Sequence, residues 1–229
     1  MTNPPVRVLL VGAAGRMGKA IVDVAKADPN IEIVAQCDIG DALGSAMRKS
    51  DVVIDFSHPD AIDGICDAAS QDQRPLVIGT TGHSAERRSA IERAAKSVPV
   101  VFASNFSAGV NALFALARNA AETLGPEFSV EIIETHHQMK KDAPSGTAKT
   151  LAAILRKARN ASDEIPIQSI REGDVVGEHT VIFSGPDERL ELCHKASSRA
   201  AFARGALHAA QWVIGKSPRL YSMQDVLGL

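Results

Sequence analysis

Five short and almost uninterrupted apolar runs, at residues 6–11, 31–37, 51–56, 76–78 and 98–102, punctuate the first hundred residues of this chain. Between them lie stretches with helical spacing, at residues 17–26, 60–70 and 85–96. A strand buried on both faces loses the alternation of a half-wet sheet. A strand that must reappear beside its predecessor in the same direction needs a helix to carry the chain back. The pattern therefore predicts a parallel sheet covered by helices on both faces.

After Asn105 the grammar changes. A helix is expected at 110–124, a strand at 128–133 and a helix at 147–159, followed by strands at 167–171, 175–183 and 189–196 with no helix between them. Polar and apolar residues partly alternate through residues 178–183 and 190–195, which suits a mixed or antiparallel sheet with one wetter face. A last helix at 199–214 carries Phe202, Leu207 and Trp212, and the tail at 220–227 is apolar enough to dock. The expectation is an α/β chain of 229 residues: a parallel-sheet domain over 1–107, a smaller α+β domain over 108–199, and residues 200–229 packing back on the first.

The turn after the first run is Gly12-Ala13-Ala14-Gly15-Arg16-Met17-Gly18, and it opens the first helix. Glycines there permit a tight turn and close approach of backbone to a pyrophosphate, and the helix start supplies N–H groups and a positive dipole. The spacing is G-x-x-G-x-x-G. Its support is Asp38, 20 residues beyond Gly18 at the end of the second run, where a carboxylate can accept from an adenosine ribose. A P-loop is excluded, because five residues separate Gly12 from Gly18 and Ala20 stands where a magnesium-binding hydroxyl belongs. The first domain is thus expected to be Rossmann-like and dinucleotide-binding. Ile39 and Gly40 follow Asp38 with no arginine for a 2′-phosphate, which favours NADH and leaves NADPH open through Arg16 or Lys19. Gly79-Thr80-Thr81-Gly82 and Ala103-Ser104-Asn105-Phe106-Ser107 also follow strands, on the side of a parallel sheet where ligands bind.

Composition excludes several classes. A net charge of −2 gives no basis for a polyanion partner, and no apolar run approaches the ~20 residues of a membrane span. Residues 1–5 lead into strand-like sequence without the regions of a signal peptide, so a cytoplasmic chain is expected. Cys37, Cys66 and Cys193 are odd in number and far apart, which predicts buried small hydrophobes, neither disulfides nor a metal pair. No metal-ligand cluster is expected.

The densest chemistry is Glu134-Thr135-His136-His137-Gln138-Met139-Lys140-Lys141-Asp142-Ala143-Pro144-Ser145-Gly146-Thr147-Ala148. It reads as strand, polar loop and helix start. His136 and His137, adjacent at a strand end, point to opposite sides and should not share a task. Lys140 lies three residues past His137, so the loop can bring one imidazole and an ammonium to a single substrate. Ser145, Gly146 and Thr147 offer backbone N–H groups and two hydroxyls to a carboxylate. Binding an anion and moving a proton would explain the crowding.

The run from Glu134 to Ala148 resembles the signature of the bacterial 4-hydroxy-tetrahydrodipicolinate (dihydrodipicolinate) reductase family. Residues 12–18, Gly79-Thr80-Thr81, Ala103-Ser104-Asn105-Phe106 and Lys195-Ala196-Ser197-Ser198-Arg199 are similar too, in the family's order. The resemblance covers nearly the whole chain. It implies reduction of a cyclic, conjugated imine dicarboxylate by NAD(P)H in the diaminopimelate and lysine pathway. His136 takes the place of the acid/base residue, Lys140 that of the proton donor, and His137, Gly146 and Thr147 those of the substrate-carboxylate contacts. Cofactor contacts fall on Gly12, Ala13, Ala14, Gly15, Arg16, Met17, Asp38, Gly79, Thr80, Thr81, Ala103, Ser104, Asn105 and Phe106. It also implies a homotetramer built through the second sheet, with hinge closure between the domains. Only twelve residues separate Asp38 from Asp51, where many relatives carry a longer insert, and the connection after residue 167 is likewise short. Two other functions would share the first domain: an amino-acid dehydrogenase acting on another imine, which would lack the Lys140 and Ser-Gly-Thr arrangement, and a cofactor-sensing protein, which would have lost its proton donors.

Overall fold

A computed structural model describes residues 4–229; residues 1–3, the start of the segment read above as lacking a leader, lie outside the described residues. In chain order the first elements are β1 (Val6–Val11), α1 (Arg16–Ala25), β2 (Ile31–Cys37), α2 (Gly44–Lys49), β3 (Val52–Asp55), α3 (Ile62–Gln71), β4 (Leu76–Ile78), α4 (Ala85–Ala94) and β5 (Val100–Phe102). There follow α5 (Ala108–Thr123), β6 (Ser129–His136), α6 (Gly146–Ala158), β7 (Ile167–Arg171), β8 (Gly177–Ser184) and β9 (Arg189–Ala196), and then α7 (Ala200–Val213), β10 (Leu220–Tyr221) and α8 (Met223–Leu227). The chain divides into two compact units, one running to Ser107 and resuming at Ala200–Leu229, the other spanning Ala108–Arg199.

In the first unit six parallel strands stand in the order β10-β5-β4-β3-β1-β2. Alternate residues of each strand feed two apolar layers. Val8, Leu10, Ile54, Val77 and Val101 pack with α1 and α7, whereas Leu9, Val11, Val53, Ile78 and Val100 pack with α3 and α4. That double burial is why these strands read as unbroken apolar runs. The returning helix α7 approaches closely because it is built of alanines, among them Ala203, Ala206 and Ala210, and because a Cβ at Gly205 would lie 1.7 Å from the Phe106 carbonyl oxygen. The strand order reverses at β1, which has β2 on one side and β3 on the other. A crevice opens at such a switch point, and the glycine-rich turn lies there.

The second unit is a four-stranded sheet, β7-β6-β8-β9, in which β6 runs parallel to β7 and antiparallel to β8. Val110, Leu113, Phe114 and Ala117 of α5 and Ala148, Leu151 and Leu155 of α6 bury one face, against Phe128, Ile132, Val181 and Phe183.

Three expectations need correction. Helix α2 falls in the segment between Asp38 and Asp51, where no element was expected; its six residues bury only Met47, too little for a periodic signal. Cys37 and Cys66 are buried but Cys193 is exposed, because on β9 it alternates away from the helix-covered face that Leu192 helps to fill. The third correction decides the chemistry. Strand β6 continues through Glu134, Thr135 and His136, beyond the end expected at residue 133, because β7 and β8 both pair with it there.

Candidate active site

In the first unit the glycine-rich turn is a cradle that side chains would fill. Gly12 has φ +85, and a Cβ on it would stand 2.4 Å from the Phe56 carbonyl oxygen at the end of β3. A Cβ on Gly18 would lie 2.2 Å from the Gly12 carbonyl oxygen, so only glycine lets α1 start this close to the turn. Gly15 caps α1 without a side-chain hydrogen bond, and no acidic residue occupies the first turn, which suits the helix start to an anion. Asp38 lies against the turn: both its oxygens accept from the Ala14 N–H at 3.2 Å, while its own N–H donates to Asp41 Oδ2 at 2.8 Å. A cleft of about 280 Å³ runs beside Val11, Asp38, Ile39, Leu43, Ser57 and Ala61, and Ile39 is 77 % exposed at its rim.

The loops after β3 and β4 are joined by Asp55, which is fully buried. Asp55 Oδ1 accepts from the N–H and hydroxyl of Ser57, and Thr80 Oγ1 accepts from the Ser57 N–H at 2.9 Å. Burial raises the Asp55 carboxyl above its ordinary range, against the lowering effect of those hydrogen bonds. Gly79 is required where it stands, since a Cβ there would be 2.2 Å from the Phe56 ring. Thr80 is therefore turned inward and Thr81 outward to solvent. In the loop after β5, Ser104 is exposed, and Asn105 Oδ1 accepts from the Ser107 N–H at 2.9 Å. For Phe106 the burial of the side chain narrows the expected cofactor contact to the backbone. Its side chain is 1 % exposed and packs edge-on against Phe56 with ring centroids 5.5 Å apart, so only its backbone remains for a ligand. An aromatic residue next to a polar loop carries no sequence mark to say which way it turns.

The second unit places its polar residues in two rows across the sheet. By strand register, Ser169, Glu134, His179 and His194 form one row. Arg171 and His136 stand in the next row, and the β6–β8 register, carried one step further, brings Gly177 of β8 opposite His136. All of these lie on the face that Ile132 and Val181 occupy further along, where the apolar core gives way to polar groups near the start of α6. Glu134 has no accessible surface. Arg171 Nη2 donates to its Oε1 at 2.8 Å, the Ser145 N–H reaches the same oxygen at 3.4 Å, and the Nδ1 edge of His136 meets its Oε2. Burial works against the charged Glu134 carboxylate, but hydrogen bonds from Arg171, Ser169 and His136 outweigh it and hold the group down to about 2. Burial lowers the His136 pKa, helped by the charges of Lys140 and Arg171, while the Glu134 carboxylate pulls the other way. His179 is driven down to about 3, chiefly by burial, and remains a neutral imidazole. The side chains of Glu134, His136 and His179 come close enough that a ligand atom from each lies within 4.8 Å of the others. The expectation that no such cluster exists is thus corrected: Glu134 and His136 are neighbours on β6, but His179 is far off in sequence and only the pairing of β6 with β8 brings it to them.

Lys140 Nζ forms an ion pair with Asp142 Oδ1 at 2.8 Å. Arg171 Nη2 also donates to the Asp142 carbonyl at 2.7 Å, fastening the loop to the Glu134 site. His137 is half-buried, and its N–H donates to the Val175 carbonyl at 2.7 Å. Gly146 is exposed at the first position of α6, and Thr147 is buried one residue on. Ser145 was expected to offer its hydroxyl to a substrate. Instead the Ser145 Oγ accepts from the Ala148 N–H at 3.2 Å as the helix cap and pairs with His179 Nε2 at 3.1 Å, so its side chain serves the fold.

A family model described as "Dihydrodipicolinate reductase, N-terminus" matches residues 6–106, and one described as "Dihydrodipicolinate reductase, C-terminus" matches residues 109–227. The chain belongs to the dihydrodipicolinate reductase family. Within it, the 4-hydroxy-tetrahydrodipicolinate reductase of Akkermansia muciniphila is 49% identical, with 98% of either chain covered. That of Thiobacillus denitrificans is 43% identical over 98% of this chain and 99% of its own. Among solved structures, a dipicolinate-bound dihydrodipicolinate reductase from Paenisporosarcina sp. TG-14 superposes with a TM-score of 0.82 at 26% identity, covering 96% of this chain and 98% of that one. Both domains of the family are therefore represented, and the chain is a pyridine-nucleotide-dependent oxidoreductase of Rossmann type. Asp55, Arg171 and His179 carry no sequence signal that assigned them to the site. Glu134 had one: in a strand, a carboxylate two residues before a histidine lies on the same face.

Proposed function

We propose that this chain reduces 4-hydroxy-tetrahydrodipicolinate to tetrahydrodipicolinate in the diaminopimelate route to lysine. The observation that carries this reading is a histidine held by a buried carboxylate, close enough to Lys140 to feel its charge, in a chain of this family. The space kept clear by Gly12 and Gly18, the free start of α1 and the Asp38 carboxylate fit a pyridine dinucleotide. When bound, that group supplies the hydride, which is delivered to the ring carbon β to the imine carbon of the dehydrated substrate. The chain's own residues do the rest. The first residues of α1, Arg16 and Met17, present backbone N–H groups to the pyrophosphate, and Asp38 accepts from the ribose. No arginine follows Asp38, so NADH is the favoured donor, with NADPH admitted less well.

Hydride addition leaves an enamine whose ring carbon must take a proton. His136 and Lys140 supply and manage it. A positioned acid contributes about 10²–10⁴-fold. The Lys140–Asp142 pair is partly exposed, and such pairs contribute only about 0–1 kcal/mol, so the ammonium is readily surrendered to a substrate. His137, the Gly146 N–H and Thr147 receive a substrate carboxylate at the start of α6, while Ser145 fixes that start in place. Net, the substrate, NAD(P)H and one proton give tetrahydrodipicolinate, NAD(P)⁺ and water. The enzyme acts as a cytoplasmic homotetramer assembled through the second sheet, whose helix-free face carries Ile133, Thr135, Ile170 and Thr180.

Following NADH absorbance while a dihydrodipicolinate synthase makes the substrate in place tests the reaction. Oxidation of NADH only when that synthase product is present is expected. Oxidation with other imines, or none with this one, would refute it. Gel filtration at a mass of four chains is the corresponding expectation for assembly.

A further inference from the structure

Glu134 has a task that neither the resemblance nor the family assignment gives it. It is charged and fully buried in the sheet, and both its oxygens are engaged. A carboxylate can only accept, so the ring nitrogen facing it, His136 Nδ1, must carry the proton. In the neutral imidazole the other nitrogen, Nε2, is then bare. The surroundings of Nε2 are as particular. Gly177 stands beside it, and a Cβ built on Gly177 would lie 3.0 Å from Nε2. With Cδ2 only 3.3 Å from the same point, a methyl group at position 177 would press on the imidazole over its Nε2–Cδ2 edge. Gly177 has no positive φ, so no backbone strain explains glycine there.

We infer that Glu134 is a positioning residue that locks His136 in its Nδ1–H form, that Nε2 is the nitrogen which exchanges the proton with the substrate, and that Gly177 leaves the imidazole room to hold that pose. The inference deepens the reductase function proposed above and rests on it only for the identity of the substrate. Arg171 on β7 holds the far side of the carboxylate, so Glu134 cannot swing away with the imidazole. His179 on β8 closes the remaining side edge-on, with ring centroids 5.1 Å apart, and stays uncharged. The charged groups acting on His136 include Glu134 from its own strand, Arg171 from β7, and Lys140 and Asp142 from the loop, with neutral His179 from β8. Of these the two carboxylates favour the imidazolium, and Glu134 is the one in hydrogen-bond contact with the ring.

The test has two independent arms. In wild-type protein, the imidazole ¹⁵N shifts of His136 above its titration should report a protonated Nδ1 and a bare Nε2; a protonated Nε2 would overturn the inference, whatever the enzyme reduces. In the second arm, kcat is measured against pH for Glu134→Gln and Gly177→Ala under the coupled assay. Glu134→Gln, whose amide can donate to Nδ1 and so force the wrong tautomer, should lower kcat about 10²-fold with the KM for NADH unchanged. It should also move the His136 limb of the profile to lower pH, which lost folding alone would not do. Gly177→Ala should lower kcat about tenfold or more without moving that limb, because it crowds the imidazole beside Nε2 and leaves the carboxylate in place. Turnover within twofold of wild type in both variants, or an unmoved limb in Glu134→Gln, would overturn the assignment. Should Glu134→Gln fail to fold, the ¹⁵N arm and Gly177→Ala still decide.

Discussion

The two sheets of this molecule handle polar chemistry in opposite ways. In the first, the strands are apolar on both faces, and what a ligand would meet is backbone at the strand ends, shaped by Gly12, Gly18 and Gly79. In the second, ionisable side chains are set into the strands themselves: Glu134, His136, Arg171 and His179 share a face with Ile132 and Val181. The first site is made of absences and is sensitive to an added methyl group. The second is made of charges, tautomers and register, and is sensitive to a changed proton. This contrast gives the substitutions below their different signatures.

The largest effect is expected on the second side. Lys140→Ala should cut turnover by about two to four decades while leaving NADH affinity nearly unchanged, measured by stopped-flow turnover and equilibrium titration. Parallel loss of both would break the contrast. Next comes the first side. Gly18→Ala puts a Cβ 2.2 Å from the Gly12 carbonyl and should weaken NADH at least tenfold, with kcat at saturation much less altered. Smaller still is Asp38→Ala, expected to weaken NADH by about tenfold, the scale of one hydrogen bond to a charged group, and NADPH by less. Equal weakening of the two would remove the ribose contact.

The smallest effect sharpens the electrostatic half of the comparison. His179 is held at about 3 and Glu134 at about 2, both below their ordinary values. The unfolded chain therefore binds protons that the folded one refuses, so stability is fully present above pH ~6.5 and declines below it. The decline steepens below about 4.5, where carboxylates of the unfolded chain begin to protonate, and each group contributes a slope of at most ~1.4 kcal/mol per pH unit. Denaturant midpoints should fall between pH ~6.5 and ~5 in wild type and fall less in His179→Gln. A flat wild-type curve over that window would contradict the burial assigned to His179.

Much of the first unit was legible because burial on both faces writes itself as apolar runs, and because Gly12 and Gly18 answer to contacts only glycine tolerates. The active loop was legible as a concentration of His136, His137 and Lys140. Its wiring was not. Ending the strand at residue 133 hid the two-residue spacing of Glu134 and His136, and the pairing that extends β6 to His136 is a tertiary fact. Arg171 and His179 come from strands 37 and 34 residues away from the groups they touch, a distance at which sequence offers no pattern. Phe106 and Ser145 lie in functional stretches, but their side chains are spent on packing and capping.

The central claim is reduction of a conjugated ring by hydride, followed by protonation from this loop. NADH deuterated at its transferable position, turned over with the dihydrodipicolinate synthase product in ordinary water, tests it directly. One deuterium on the product's ring carbon β to the imine carbon, with ordinary hydrogen entering the neighbouring carbon, is the expected result. Deuterium retained in the nucleotide, or found on any other carbon of the product, would contradict the account.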